Sequence, residues 1–390
     1  LLDSYYGIYV VDSHEIDLVG NVVFHAQGMG IDATRCNNVS LINNQVTGGS
    51  TICVSGIELN DLDDSVADGN TISGDYYYGI EIWTCNNVMV SFNQIGISGQ
   101  NGIRANGCTE AGIEVLNNTV QGTLVWGLTA SDSYPLRISG NVLNGFERGI
   151  SLQYCYEAVI ENNSCDSSTE SGIRVEYGYS LSNLRIANNS CQDCGSYGIL
   201  VMSCQNVTVL EANDCSGSAT IGIYVLSSPL AYIGNCTASS CSTGLDIYSS
   251  GGSTVVGGSY DDCLDTGIYI YDSDGVTVEG TDASSNGNIG LNLVNSIYGT
   301  VSNSTFSWNS DGLYVSQNSE HGQSFTISGC RLENNTDRGL IGYGGLWAII
   351  RGNHFANNLG YGLHLDASTD TWIIVNNTFL NNAGIAGIDR

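Results

Sequence analysis

GIEIWTCNNVMVSFNQIGISGQN, the stretch from Gly79 to Asn101, decides the fold. Ile80 and Ile82 alternate with polar neighbours, a turn follows, Val88, Val90 and Phe92 alternate again, and Asn93 closes the run. Period-two alternation broken by turn residues predicts short, half-buried strands. The same unit recurs along the whole chain: a Gly-aliphatic dipeptide returns from Gly7 through Gly30, Gly56, Gly102 and Gly127 to Gly387, at steps of 22 to 27 residues. An asparagine usually stands nine residues before the next repeat glycine, as at Asn21, Asn70, Asn93, Asn118, Asn163, Asn189, Asn213 and Asn353. Two markers with one period define a structural repeat. Three short strands cannot form a compact domain alone, so the units stack, pair their strands in parallel and bury a continuous interior, with the asparagines bonding along the stack at a turn.

Composition agrees. The 390 residues contain 50 Gly and 2 Pro, and only 13% are charged, which favours many short strands over helices. All ten basic residues are Arg against 39 acids, for a net charge of −29. The absence of lysine excludes amine nucleophiles, Schiff bases and phosphate-loop lysines. The acidity argues against nucleic acid and anionic lipid as partners. No apolar run approaches the length of a membrane span, and the opening LLDSYYG is neither a signal peptide nor an initiator methionine, so a processed or excised piece is expected.

The units, such as Gly198-Ile199-Leu200-Val201 followed by Thr208-Val209 and Asn213, match the generic repeat of the right-handed parallel β-helix superfamily, the fold of pectate lyases, polygalacturonases, mannuronan epimerases and many microbial surface proteins. The chain resembles that superfamily over essentially all its residues. The resemblance implies an all-β fold, one continuous β-helix solenoid over residues 1–390 with about sixteen coils of 22–27 residues and three short strands per coil. Neither end shows a capping helix or loop, which implies either a segment of a longer protein or stacking onto a neighbouring subunit.

The 14 cysteines form columns. Cys36, Cys85, Cys108, Cys155 and Cys204 stand six residues after their repeat glycine, where other coils carry Ser13, Ser133, Ser228, Ser250, Ser273 and Ser296. Cys165, Cys191, Cys215 and Cys236 fall on successive coils, with Cys53, Cys194, Cys241 and Cys263 near the following turn. Disulfide staples of an exported protein, drawn from Cys85, Cys108, Cys165, Cys191, Cys194, Cys215, Cys236, Cys241 and Cys263, stand against buried thiols filling small core sites. Parallel stacking separates neighbouring Cβ atoms by nearly 5 Å, more than the roughly 3.8 Å of a disulfide, so bridges are expected at turns rather than in strands. Among the Asn-x-Ser/Thr sequons, Asn38 and Asn206 are the favoured glycosylation acceptors because they precede the middle strand.

One group of side chains suits sugar chemistry. Asp12, Arg35 and Asp61 share a position five residues after the repeat glycine, and His14 and Asp63 share one two residues later. Stacking would place Arg35 between two carboxylates with His14 alongside, a base, a cationic clamp and a proton donor. Asp12-Ser13-His14-Glu15 is similar to the Asp-Pro-His-Glu signature of mannuronan epimerases, with Ser in place of Pro. The same stretch also fits the ordinary repeat, so a surface charge ladder that neutralises stacked like charges is the plainer account. The polygalacturonase pattern of paired Asp, Gly-His-Gly and Arg-x-Lys is absent. Asp261, Asp262 and Asp265 could hold calcium, against the plainer reading of solvated acidic turns. Tyr76, Tyr77, Tyr78, Tyr154, Tyr156, Tyr177 and Tyr179 suggest an aromatic stripe that stacks on neutral sugars, on another subunit or along the solenoid itself.

Nearly uniform repeats and absent caps point first to a non-enzymatic extracellular structural protein of a cell-surface layer, sheath or filament, self-assembling and reinforced by disulfides. This resembles repeat-built surface proteins of methanogenic archaea. The alternatives are a polysaccharide lyase, epimerase or hydrolase using Asp12, His14, Arg35, Asp61 and Asp63, and a carbohydrate-binding adhesin or spike.

Overall fold

A computed structural model describes residues 5–49, 53–97, 99–122, 125–178, 183–205, 208–316, 323–343, 346–366, 371–384 and 387–389. The fold is all-β, a right-handed parallel β-helix of roughly 15 turns. The chain divides into two compact units, residues 1–195 and 196–390.

In the first unit, the strand Tyr76–Trp83 pairs in parallel with Cys53–Asp68 on one side and Asn101–Asn106 on the other. The register aligns Ile57, Ile80, Ile103, Leu128, Ile150 and Ile173 into one column, almost wholly buried. Period-two alternation places these aliphatics inward and their neighbours outward. The repeat glycine is required by close approach. A Cβ on Gly79 would lie 2.5 Å from both the Gly102 carbonyl oxygen and Ile95 Cγ2, so no side chain fits where each coil presses on the next.

Each first strand ends in a left-handed corner. Asp12, Arg35, Asp61, Thr84 and Asp132 have φ between 49° and 56° there, and the acids among them are residues that tolerate this conformation. The next inward residue is the small Ser or Cys column. After the second strand comes an asparagine ladder: Asn44, Asn70, Asn93, Asn118, Asn141 and Asn163 each receive hydrogen bonds from the preceding ladder member's backbone N–H and amide, at 2.8–3.0 Å. Each amide also donates to a backbone carbonyl, as Asn93 does to Ala67 at 2.9 Å, so buried turn groups are satisfied rather than orphaned.

The second unit repeats the scheme. Ile223, Leu245, Ile268, Leu291, Leu313, Leu340 and Leu363 form its inward column, and a second ladder runs Asn286, Asn309, Asn335, Asn358 and Asn382. The expected third strand is complete only in parts. Between Val142 and Ser190, and again between Asp214 and Thr305, it shrinks to single bridges such as Val142 to Ser164 and Thr237 to Ser259. Runs such as Ser164-Cys165-Asp166-Ser167-Ser168 supply small turn-forming residues in place of alternating aliphatics.

The disulfide expectation is corrected. Cys85, Cys108, Cys165, Cys191, Cys194, Cys215, Cys236, Cys241, Cys263 and the other five cysteines are all buried thiols, and none is bridged. The in-register spacing that separates the Cβ atoms is one reason. The second is that the thiols occupy hydroxyl positions: Cys85 Sγ donates to the Trp83 carbonyl at 3.1 Å, as Ser133 Oγ donates to the Ser131 carbonyl at 2.8 Å. Burial pushes the thiols up, to about 12 for Cys85, Cys155 and Cys241 and about 11 for Cys236 and Cys263.

Candidate functional site

Two residues after each repeat glycine, the first strand presents an outward side chain. In the first unit this column reads Asp32, Glu58, Glu81 and Arg104, each in register with the next. Three carboxylates are thereby stacked at the strand spacing of about 4.8 Å. They are also shielded from water: Asp32, Glu58 and Glu81 are 4, 8 and 4% exposed. Stacked like charges with little solvent disfavour ionisation. The Glu58 carboxyl is held at about 7, first by burial and then by the charges of Asp32 and Glu81, with a hydrogen bond from Asn60 opposing. Burial also raises Asp32 against a 2.7 Å hydrogen bond from Thr34.

Glu81 is held differently. Its Oε2 accepts from Ser55 Oγ at 2.7 Å and its Oε1 lies 3.4 Å from Arg104 Nη1. The same Nη1 donates to the Tyr78 hydroxyl at 2.7 Å, and the guanidinium sits 4.8 Å from the Trp83 ring centre and 5.1 Å from that of Tyr78. Arg104 is therefore fixed by a carboxylate, a phenol and two aromatic faces.

Beyond Arg104 the face opens into a cleft of about 300 Å³ lined by Tyr78, Asn101, Arg104, Trp126, Arg148 and Gln153. Arg148 grips Glu170 through two hydrogen bonds of 2.7 and 3.2 Å, and Arg174 joins Glu170 to Glu176. Two shielded polar atoms of the lining, Trp126 Nε1 and Asn101 Oδ1, have no hydrogen-bond partner. An aromatic wall and fixed guanidiniums suit a hydroxyl-rich ligand.

The residues singled out from the sequence lie elsewhere. Asp12 and Arg35 do meet, in a two-pronged ion pair of 2.7 and 2.9 Å that draws the Asp12 carboxyl down, but at the exposed corner rather than in the cleft. Asp61 follows in that exposed column; His14 faces Asn37, which faces Asp63, and Asp63 accepts from Asn86 at 3.1 Å. Among the described residues no three His, Cys, Asp or Glu side chains converge as a metal site. Asp261 accepts from the hydroxyls of Ser239 and Ser259, Asp265 accepts from Asn288 at 3.0 Å, and Asp262 is an exposed left-handed corner residue. Asn38 is exposed with φ 55°, and Asn206 lies outside the described residues. Of the tyrosines, Tyr134 stacks on Tyr156 at 3.8 Å and Tyr154 on Tyr177 at 5.3 Å, Tyr76 is buried, Tyr78 enters the cleft, and Tyr179 lies outside the described residues.

The sequence carried a signal for the acid column. Counting two rather than five residues from Gly30, Gly56, Gly79 and Gly102 gives Asp32, Glu58, Glu81 and Arg104. Burial of the first three is what a count cannot give.

A family model described as a right handed beta helix region matches residues 2–143, 79–228, 126–255, 204–347 and 300–389. No curated protein matches. Similar solved structures include the periplasmic alginate epimerase AlgG, 9% identical over 92% of this chain and 76% of that one with a TM-score of 0.30. The A-module of the mannuronan C-5 epimerase AlgE4 of Azotobacter vinelandii is 11% identical over 88% and 91% of the two chains, with a TM-score of 0.35. Tailspike protein 2 of Escherichia coli O157:H7 bacteriophage CAB120 is 12% identical over 72% and 38%, with a TM-score of 0.41. The expectation of a structural subunit of a surface layer, sheath or filament, with its archaeal likeness, is corrected: the sheet face carries a shielded acid column and a cleft rather than a uniform scaffold surface.

Proposed function

The chain belongs to the right-handed β-helix family, whose fold serves many activities, and from the face of residues 5–195 we propose that it binds a polysaccharide there and cleaves it by acid–base chemistry. The observation that carries this reading is the Glu58 carboxyl, held at about 7 between Asp32 and Glu81, in the column that Arg104 continues two coils on into the cleft. A carboxyl that keeps its proton near neutrality can give it to a glycosidic oxygen as the bond to the sugar breaks. Glu81, anchored by Ser55 and Arg104, is the carboxylate positioned to stabilise or capture the cationic sugar carbon. Water then releases the sugar, with Glu58 taking the proton back. The acid column and the net charge of −29 favour neutral over uronate polymers. A polymeric substrate belongs outside the cell, and an extracellular or cell-surface location is part of this reading.

The test is release of new reducing ends from a panel of neutral and uronate polysaccharides. Glu58→Gln should abolish release while leaving binding, and Trp126→Ala should raise KM. Wild-type binding without any release would remove the chemistry; neither binding nor release across the panel would overturn the reading.

A further inference from the structure

The corresponding sheet face of the second unit has another chemistry. Its outward column reads Tyr224, Asp246, Tyr269, Asn292 and Tyr314, each in register with the next. Tyrosine rings thus alternate with short polar side chains. Beside them, Tyr248 stacks on Tyr271 with ring centres 4.9 Å apart and planes 19° from parallel, and Tyr271 lies 6.2 Å from Tyr269. Tyr197 stacks on Tyr224 at 5.8 Å.

Both polar members of the row are unsatisfied. Asp246 Oδ1 and Asn292 Oδ1 are shielded from water and accept no hydrogen bond. No basic residue stands at the outward positions of the strands Ile221–Leu226, Thr243–Tyr248, Thr266–Tyr271 and Ile289–Val294. Burial alone raises the Asp246 carboxyl to about 7, so no cation holds it ionised. A carboxyl oxygen and an amide oxygen screened from water and left without donors cost free energy in the fold.

We propose that this face is a binding platform for a neutral glycan chain, with sugar rings stacked on the tyrosines and sugar hydroxyls donating to Asp246 and Asn292. The aromatic faces match the apolar C–H faces of pyranose rings, hydroxyls suit the partly exposed Asp246 and Asn292 side chains between them, and the lack of a cation disfavours uronates. A second copy of the chain is a poor occupant, since it would bring a net charge of −29 against a carboxylate. The platform stands independently of the chemistry assigned to residues 5–195, which lacks this tyrosine row.

The experiment uses the full chain and hexasaccharides of β-1,4-linked glucose, mannose and xylose and of β-1,3-linked glucose, with oligomannuronate as the anionic comparison. Calorimetric titration is paired with hydrogen exchange, which reads the site locally. At least one neutral hexasaccharide should slow exchange in Thr243–Tyr248 and Thr266–Tyr271, and Tyr269→Ala should weaken its binding about tenfold. Asp246→Leu removes the unsatisfied carboxyl, so it should raise the melting temperature while weakening binding several-fold, which separates loss of the site from loss of the fold. No protection of these strands by any neutral sugar, wild-type affinity in Tyr269→Ala, or tighter binding of oligomannuronate would each overturn the platform. Failure of Glu58→Gln to alter polysaccharide cleavage would bear only on the first unit.

Discussion

Arg104 stands one coil beyond Glu81 at the same register position, and its Nη1 lies 3.4 Å from the Glu81 carboxylate while donating to Tyr78 at 2.7 Å. A single guanidinium thus terminates the acid column and begins the cleft. Glu81 is almost fully shielded and Arg104 29% exposed, so Arg104→Met leaves a shielded carboxylate with only Ser55 as donor. The expected cost is about 1.5–3 kcal/mol in urea unfolding, the range for hydrogen bonds to charged groups. The double variant Arg104→Met with Glu81→Gln should recover part of it, and additive losses would show that the two residues are not coupled.

The acid column and Asp246 set the pH dependence. Glu58 rises from 4.5 to about 7 on folding and Asp246 from 3.8 to about 7. A folded-state value above the unfolded one means that the unfolded chain releases its proton first, so stability falls as pH climbs between the two values and levels off above the upper one. The groups facing Glu58 are Asp32, Glu81 and Tyr6, with Arg104 beyond, and deprotonation therefore adds like charge to the column. The thermal midpoint should decline from about pH 4.5 to pH 7. Glu58→Gln and Asp246→Asn should each flatten that decline, and an unchanged slope in both variants would show that these carboxyls do not titrate in the window.

Close coil packing predicts different costs at two glycines. Gly79→Ala places a Cβ 2.5 Å from the Gly102 carbonyl, whereas Gly20, with φ +65°, has open space around its missing Cβ. The first substitution should cost about 1–3 kcal/mol or more from overpacking, the second about 1 kcal/mol from the left-handed backbone alone. Urea unfolding of the two single variants gives the comparison, and equal costs would remove the packing explanation of the repeat glycine.

The fold was legible because its cause is local and repeated. Gly79-Ile80 and Asn93 recur at one spacing, and each coil imposes the same close contact and the same buried amide ladder. The site was less legible for a related reason. Counting from Gly7 and Gly30 showed that Asp12 and Arg35 would meet, and they do, but they occupy left-handed corners where Asp is favoured for its backbone. Asp32, Glu58 and Glu81 looked like ordinary polar residues of alternating strands. Their distinction is burial and partners on neighbouring coils: Glu81 is held by Ser55 and Arg104, 26 and 23 residues away, and burial raises Glu58.

The thiol column supplies the last prediction. Cys85 and Ser133 hold equivalent places, each donating to the carbonyl two residues before it, at 3.1 and 2.8 Å. Cys108 bridges the two coils, its backbone N–H donating to Ser133 Oγ at 3.2 Å. A hydroxyl at position 85 therefore keeps the hydrogen bond and nearly the volume, so Cys85→Ser should change unfolding free energy by less than about 1 kcal/mol, whereas Cys85→Val lacks the donor and should cost about 1–3 kcal/mol. All 14 thiols are buried, and burial holds Cys85, Cys155, Cys194 and Cys241 at about 12, so thiolate is scarce near neutrality. A thiol-specific reagent should find almost no reactive groups in the native protein and all 14 in denaturant without reductant. Fewer than 14 under denaturing, non-reducing conditions would mean that covalent bridges form after all.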